Sequence, residues 1–347
     1  MLVDEATGDM RWEVCTSHRM SEHKMGTHVA MSPSGRFVAS VWGDFKHWTL
    51  WNAVSGAVHM VGATHDGTGA CICGGGHQLL EACPVVAHSA GVTAVIFAPS
   101  GQKFATGGRD GAVILWDAQT GEAGQCMREG SGEQICCLSF SADGARLASG
   151  GDEGSMRVWD LTTGALLHTM PEVPEEDICG LHFSPRDTRL LASAGSGGRI
   201  HLWDIDTGER IRSFEGWGFA VYSPDGRTIA TAGPGENDPG LRLVDAESGE
   251  ERVSMVGHEA YVESACFSLD GGGKLVSSSR HVCKVWDSST GALLRTVEAG
   301  SAVVWGRDWV RDTKGEAFAM GHHPRLGAGS FVLELELGVV QMILDRV

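Results

Sequence analysis

The sequence predicts an all-β chain folded as a ring of repeated four-stranded antiparallel sheets. Three observations predict it. A short stretch built on Trp-Asp and closing on Gly recurs along the chain at near-constant intervals. Each recurrence is preceded by two short apolar runs with turn residues between them, and followed by a further strand-like run. Finally, 49 glycines stand against 10 prolines and 20% charged residues in 347, which suits many tight turns and not a disordered or collagen-like chain.

The recurring stretch is clearest at 107–121, GGRDGAVILWDAQTG, and returns as MRVWDLTTG (156–164), IHLWDIDTG (200–208), LRLVDAESG (241–249), CKVWDSSTG (283–291) and WTLWNAVSG (48–56). The Trp or its substitute stands five residues before the Gly, at 51, 116, 159, 203, 244 and 286, and the same rule reaches Val3 and Leu333. Successive spacings are 48, 65, 43, 44, 41, 42 and 47, and a period of roughly 40–45 residues is that of one propeller blade. Within a unit, an apolar first strand (VTAVIFAPSG, ICCLSFSADG, VESACFSLDG) ends in a Ser-Pro-Asp-Gly-like turn, where Pro presets φ and Asp and Gly supply turn chemistry. A second strand (KFATGG, RLASGG, TIATAG), a third ending in Trp-Asp and a fourth after Thr-Gly complete a meander. One such sheet cannot bury both faces alone, whereas stacking against its copies buries them.

These residues and spacings resemble the WD-repeat β-propeller family over 18–338. The resemblance implies a structural tetrad of His88, Thr106, Asp110 and Trp116, with Asp accepting from the imidazole, the imidazole meeting the hydroxyl, and the hydroxyl meeting the indole N–H; buried polar groups need such partners. GGRDGAVILWDAQTG is then part of what holds the fold and not a catalytic site. Elsewhere the pattern degrades: Ser149 is accompanied by Glu153 and Ser131, Ser193 by Gly197, Thr231 by Val244, while His258 and Ser277 lack the Asp. Seven blades are expected, with eight as the alternative count. Residues 1–17 are expected as a terminal stub closing the ring, with 339–347 as a strand or tail.

The 65-residue step implies an insertion at about 57–87, since both 55–65 and 75–88 resemble an outer strand. Cys71, Cys73, His77 and Cys83, with His65 nearby, carry ligand chemistry suited to zinc, but CxC with these gaps is not a usual structural-zinc spacing. A glycine-rich surface loop or blade remnant is the plainer reading, and no metal or cofactor is expected.

No P-loop, H-E-x-x-H or G-x-S-x-G motif occurs. One enzymatic alternative is a quinoprotein-like dehydrogenase: DEATGDMRW (4–12) fits D-x-x-T-G-x-x-x-W, and Cys136–Cys137 are adjacent. Against it, the Trp position is filled by Gln125, His168, Arg212 and Arg295 in other units, and alternation in a strand lets both cysteines be buried. A formal charge of −17 disfavours direct nucleic-acid binding. No run spans a bilayer, and the N-terminus lacks the signature of a signal peptide, so an intracellular protein, cytoplasmic or nuclear, is expected.

The resemblance implies a non-catalytic scaffold that binds proteins or peptides on the propeller face, as a module or as a subunit of a complex, with acidic bias toward basic partner segments. Candidate contacts are Trp42, Phe45, Arg109, Trp217, Trp305, Arg307 and Trp309, residue types that anchor interfaces. The competing reading of each Trp is filler between degenerate blades.

Overall fold

The computed structural model describes residues 2–3, 10–12, 28–41, 47–53, 58–63, 88–128, 132–171, 177–233, 238–262, 264–268, 273–279, 282–298, 310–311 and 317–318. Six four-stranded antiparallel meanders follow one another, and no helix occurs among the described residues. Blade 1 comprises His28–Met31, Phe37–Val41, His47–Asn52 and Val58–Ala63; blade 2, Val92–Phe97, Lys103–Gly108, Ala112–Asp117 and Ala123–Arg128; blade 3, Ile135–Phe140, Arg146–Gly151, Met156–Asp160 and Leu166–Met170. Blade 4 comprises Ile178–Phe183, Leu190–Gly195, Arg199–Asp204 and Glu209–Glu215; blade 5, Trp217–Tyr222, Thr228–Ala232, Leu241–Asp245 and Glu251–Met255; blade 6, Ser264–Phe267, Lys274–Ser279, Val282–Asp287 and Leu293–Glu298.

Of the two outer-strand candidates around the insertion, Val58–Ala63 pairs with the third strand of blade 1. Residues 64–87, with Cys71, Cys73, His77 and Cys83, lie outside the described residues. So does most of the expected seventh blade. At the two ends of the chain only the pairs Leu2–Val3 with Met10–Trp12 and Val310–Arg311 with Ala317–Phe318 are described.

Burial explains the order of strands. Every residue of the first strands of blades 2 and 3 is buried, and first strands of consecutive blades pack side by side from blade 1 to blade 6. Near-continuous apolar runs such as VTAVIF suit strands covered on both faces. Outer strands such as Ala123–Arg128 alternate between covered and solvent-facing positions. In every blade the outer strand shifts register against the third beside the Trp position or its Val244 substitute, a bulge that increases the local twist.

The aspartate of each Trp-Asp pair shapes a turn. Asp117 Oδ1 accepts from the backbone N–H of Gln119 and Thr120, both at 2.8 Å, and Gly121 closes the turn at φ +71°. Asp160, Asp204, Asp245 and Asp287 repeat this arrangement. Asp117 and its counterparts are therefore local turn caps, with carboxyl groups held below their ordinary range chiefly by backbone N–H groups at Asp117, Asp160 and Asp245, and by the Ser289 hydroxyl at Asp287.

Blades adhere through apolar clusters that straddle each boundary. Trp116 of blade 2 packs toward Trp48 of blade 1 with ring centroids 4.8 Å apart, and Phe104 joins them. Trp159 sits among Ala105, Val113 and Leu115 of blade 2, and Trp203 among Met156, Val158 and Met170 of blade 3. A second, outer contact repeats as well. The residue four positions after each turn glycine lies against the turn glycine of the next blade: Met60 on Gly121, Gln125 on Gly164, His168 on Gly208, Arg212 on Gly249 and Val253 on Gly291. Arg212 adds a hydrogen bond to the Ser248 carbonyl at 2.9 Å.

Candidate functional site

The propeller has two unlike faces. The face carrying the 1–2 and 3–4 turns is built from the turn caps just described. The opposite face, here the loop face, carries the segments that enter each blade and the 2–3 connections.

In blade 2 the loop face is anchored by a continuous hydrogen-bond chain. Trp116 Nε1 donates to Thr106 Oγ1 at 2.8 Å; His88 Nε2 lies 2.8 Å from the same hydroxyl, and His88 Nδ1 lies 3.0 Å from Asp110 Oδ1. Only one order of donors uses every group. The Thr106 hydroxyl receives the indole N–H and gives its own hydrogen to Nε2, which leaves Nδ1–H for the carboxylate. Asp110 also accepts from the backbone N–H of Ser89 (2.7 Å) and Ala112 (3.2 Å), and pairs with Arg128 at 2.8 Å. Burial opposes its ionisation, but His88 and these N–H groups outweigh burial and hold the carboxyl well below the ordinary carboxylate range. His88 and Thr106 are buried at 1% and 0% exposure, so no substrate reaches them.

The indole-to-hydroxyl link persists where the rest of the chain is lost. Trp51 donates to Ser40, Trp159 to Ser149, Trp203 to Ser193 and Trp286 to Ser277, at 2.7–3.0 Å. In blade 6, His258 Nε2 meets Ser277 Oγ at 2.7 Å, but Nδ1 has no hydrogen-bond partner among the described residues, as the missing aspartate requires. Burial first, then Lys284, lowers the His258 pKa to about 4, so the ring is neutral at physiological pH. Blade 3 substitutes a different device: buried Arg157 reaches Glu133 Oε2 at 3.3 Å and Ser155 Oγ at 3.0 Å. Glu153 is exposed, and Ser131 lies outside the described residues.

Blade 5 holds a residue that sequence reasoning missed. Asp238 stands six residues before Val244, as Asp110 stands six before Trp116, and its Oδ1 accepts from Gly240 N–H at 2.7 Å, as Asp110 does from Ala112. The Val in place of Trp concealed it. The histidine is absent because its loop is absent: Gly216 alone joins blade 4 to blade 5, where the corresponding connection into blade 3 has six residues. A Cβ on Gly216 would come within 2.5 Å of Thr231 Oγ1 and 2.7 Å of Ile200, so the backbone itself crosses the histidine position.

The candidate contact residues divide accordingly. Arg109 is exposed on the loop face beside Asp110. Trp217 was expected in a loop and is instead the first residue of a strand, half-buried against the cluster of Phe219, Met255 and Val262. Trp42, Phe45, Trp305, Arg307 and Trp309 lie outside the described residues. Cys136 and Cys137 are buried at 5% and 3% exposure with neither in a disulfide, and the Cys137 thiol points to the Ile178 carbonyl of the next blade at 3.4 Å. No vicinal disulfide forms, which removes one support of the quinoprotein reading. Among the described residues no group of His, Cys, Asp and Glu is arranged to hold a metal ion, and no helix is long and apolar enough to cross a membrane.

Sheets of this order, with an indole-to-hydroxyl bond in five blades and Asp-capped turns, define a β-propeller of Trp-Asp blades. The comparisons agree: the WD40 family model (WD domain, G-beta repeat) matches residues 81–117, 124–160, 164–204 and 249–287, so the chain carries four WD40 repeats. Over 84 residues it is 38% identical to nuclear distribution protein PAC1 of Coccidioides posadasii (strain C735), a match covering 23% of this chain and 17% of that protein. The chain thus aligns with less than a fifth of that relative's length. Blade 1 and the first three strands of blade 5 escape the family model, as expected where Asn52 follows Trp51 and Val244 replaces Trp.

Proposed function

We propose that this chain is a non-catalytic scaffold whose loop face binds partner proteins or peptides. WD40 repeats serve broadly as protein–protein interaction modules, which supports the coarse reading. The observation that carries it is the use of the polar residues. The histidines, hydroxyls and aspartates that a catalytic reading would recruit are buried in blade-holding hydrogen bonds, or cap turns, whereas exposed Arg109 and half-buried Trp217 stand on the loop face. Arginine and tryptophan are the residue types that concentrate binding energy at interfaces. Partners with basic segments suit a chain of net charge −17.

The test is affinity purification from native extract with three forms: wild type, a loop-face variant (Arg109→Glu with Trp217→Leu) and a turn-face variant (Glu122→Gln with Arg227→Ala). Partners recovered by the wild type and the turn-face variant but lost from the loop-face variant are expected. Recovery that is equal in all three places the contact elsewhere, and a wild type that captures nothing specific sinks the scaffold reading.

A further inference from the structure

The entry to blade 5 departs from the other blades in a way that exposes chemistry. Connections of six, seven and eight residues lead into the first strands of blades 3, 4 and 6, whereas Gly216 alone leads into blade 5. The loop that would cover the start of the first strand is missing, and Trp217 occupies the position taken by fully buried Val92 in blade 2. It is half-buried, packed against the cluster that includes Phe219, Met255 and Val262.

Two carboxylates stand near Trp217 in the chain and in the ladder. Glu215, exposed, stands two residues before it. Trp217 pairs across the sheet with Ala232, and the Asp238 carboxylate folds against the next residue, Gly233, held there by the Gly240 N–H. With no histidine in this blade, Asp238 lacks the ring that engages Asp110 in blade 2. Among the described residues Asp238 forms no ion pair, Arg199 stands opposite Glu215 in the blade 4 ladder, and no cation lies over the Trp217 ring, although Arg210 lies over Trp203 at 5.9 Å in the neighbouring blade. An aromatic face beside a carboxylate without an ion-pair partner attracts a cation through both the ring quadrupole and charge.

We propose that the notch at the entry of blade 5 receives a lysine or arginine side chain of a partner segment, with Trp217 as its aromatic face and Asp238 as its counter-charge. This rests on the reading of the loop face as a docking surface and specifies the chemistry of what docks.

Fluorescence anisotropy with labelled hexalysine and hexaglutamate peptides at physiological salt tests it, salt being needed to screen the diffuse acidic field. Hexalysine binding is expected to weaken about tenfold in Trp217→Leu, which keeps apolar packing, and in Asp238→Asn, which keeps the acceptor for Gly240. Trp217→Phe should retain part of the affinity, and Glu122→Gln on the turn face should retain all of it. If Trp217→Leu fails to fold by circular dichroism, Trp217→Phe and Asp238→Asn still decide. Equal affinity across all variants, or equal loss in Glu122→Gln, overturns the notch. That result leaves partner capture by the loop face standing, whereas failure of capture in the purification experiment would remove the scaffold reading whatever hexalysine does.

Discussion

Asp110 shows how much of this protein is decided by single side chains. It is the terminus of a chain running through His88 and Thr106 to Trp116, and its folded carboxyl is held below the ordinary value near 4. A depressed folded pKa contributes stability that is present above the unfolded value and is lost as pH falls through the folded one. Wild type should therefore lose stability steadily below about pH 4, and Asp110→Asn should show a shallower acid slope while costing about 2–3 kcal/mol at neutral pH. Urea unfolding of both forms across that range checks this, and parallel pH curves would refute it. The chain was legible in sequence because its members keep constant offsets from a conspicuous Trp. Asp238 keeps the same offset, yet it was not legible, since Val244 removed the marker and an eight-residue 2–3 connection replaced the three of blade 2. Arg157 and Glu133 were equally hidden, because a basic residue two before the Trp reads as an ordinary surface strand position, whereas in the fold it is buried and paired with Glu133.

Among elements, the strands were the most readable and their junctions the least. Apolar runs between Ser-Pro-Asp-Gly turns and Trp-Asp turns leave little freedom, because each turn cap is itself a sequence signal: Ser141 Oγ accepts Arg146 N–H at 2.9 Å, and Asp117 closes the far turn. The junction into blade 5 carries no such signal. Trp217 reads as a loop residue ahead of the apolar run GFAVY, and only its pairing with Ala232 draws it into the strand. Gly216 is required there by close approach and not by φ. Gly216→Ala should lower stability by about 2 kcal/mol or more, since the added methyl meets Thr231 and Ile200 from two blades at once, whereas Gly273→Ala, with open space around it, should cost little. Thermal unfolding of the two variants makes the comparison. Comparable losses would mean that the short junction tolerates expansion.

For the whole molecule, the substantial contacts between described blades join neighbours, so stability is approximately a sum of blade and boundary contributions. The boundaries are not equal. Blades 1 and 2 meet through Trp48, Phe104 and Trp116, whereas blade 5 has no indole at the third-strand position and places Val244 there, in a cluster with Ile200, Leu202 and Phe214 of blade 4. Native-state hydrogen exchange should find the slowest amides in the first and second strands of blades 2 and 3 and faster ones in the corresponding strands of blade 5, with outer strands fastest throughout. Uniform protection across blades would show that the ring opens as one unit. The all-β repeat architecture was readable because periodicity is a property of the entire chain and survives the loss of individual motif residues. The blade count read from the same period was seven, of which six are described.

The outer latch, in which Gln125, His168, Arg212 and Val253 each rest on the turn glycine ahead, gives the ring a sense of direction. The family matches at 124–160, 164–204 and 249–287 begin at or just before one blade's outer strand and end with the third strand of the next. Such a segment carries the reaching side chain of one blade near its beginning and then the body of the blade it reaches, whose receiving glycine follows four residues after its end. Copying it in tandem lengthens the arc without inventing an interface, because each new joint is a duplicate of an old one. What is inherited in this chain is therefore the seam between blades, and the blade as seen in space is assembled from two successive copies.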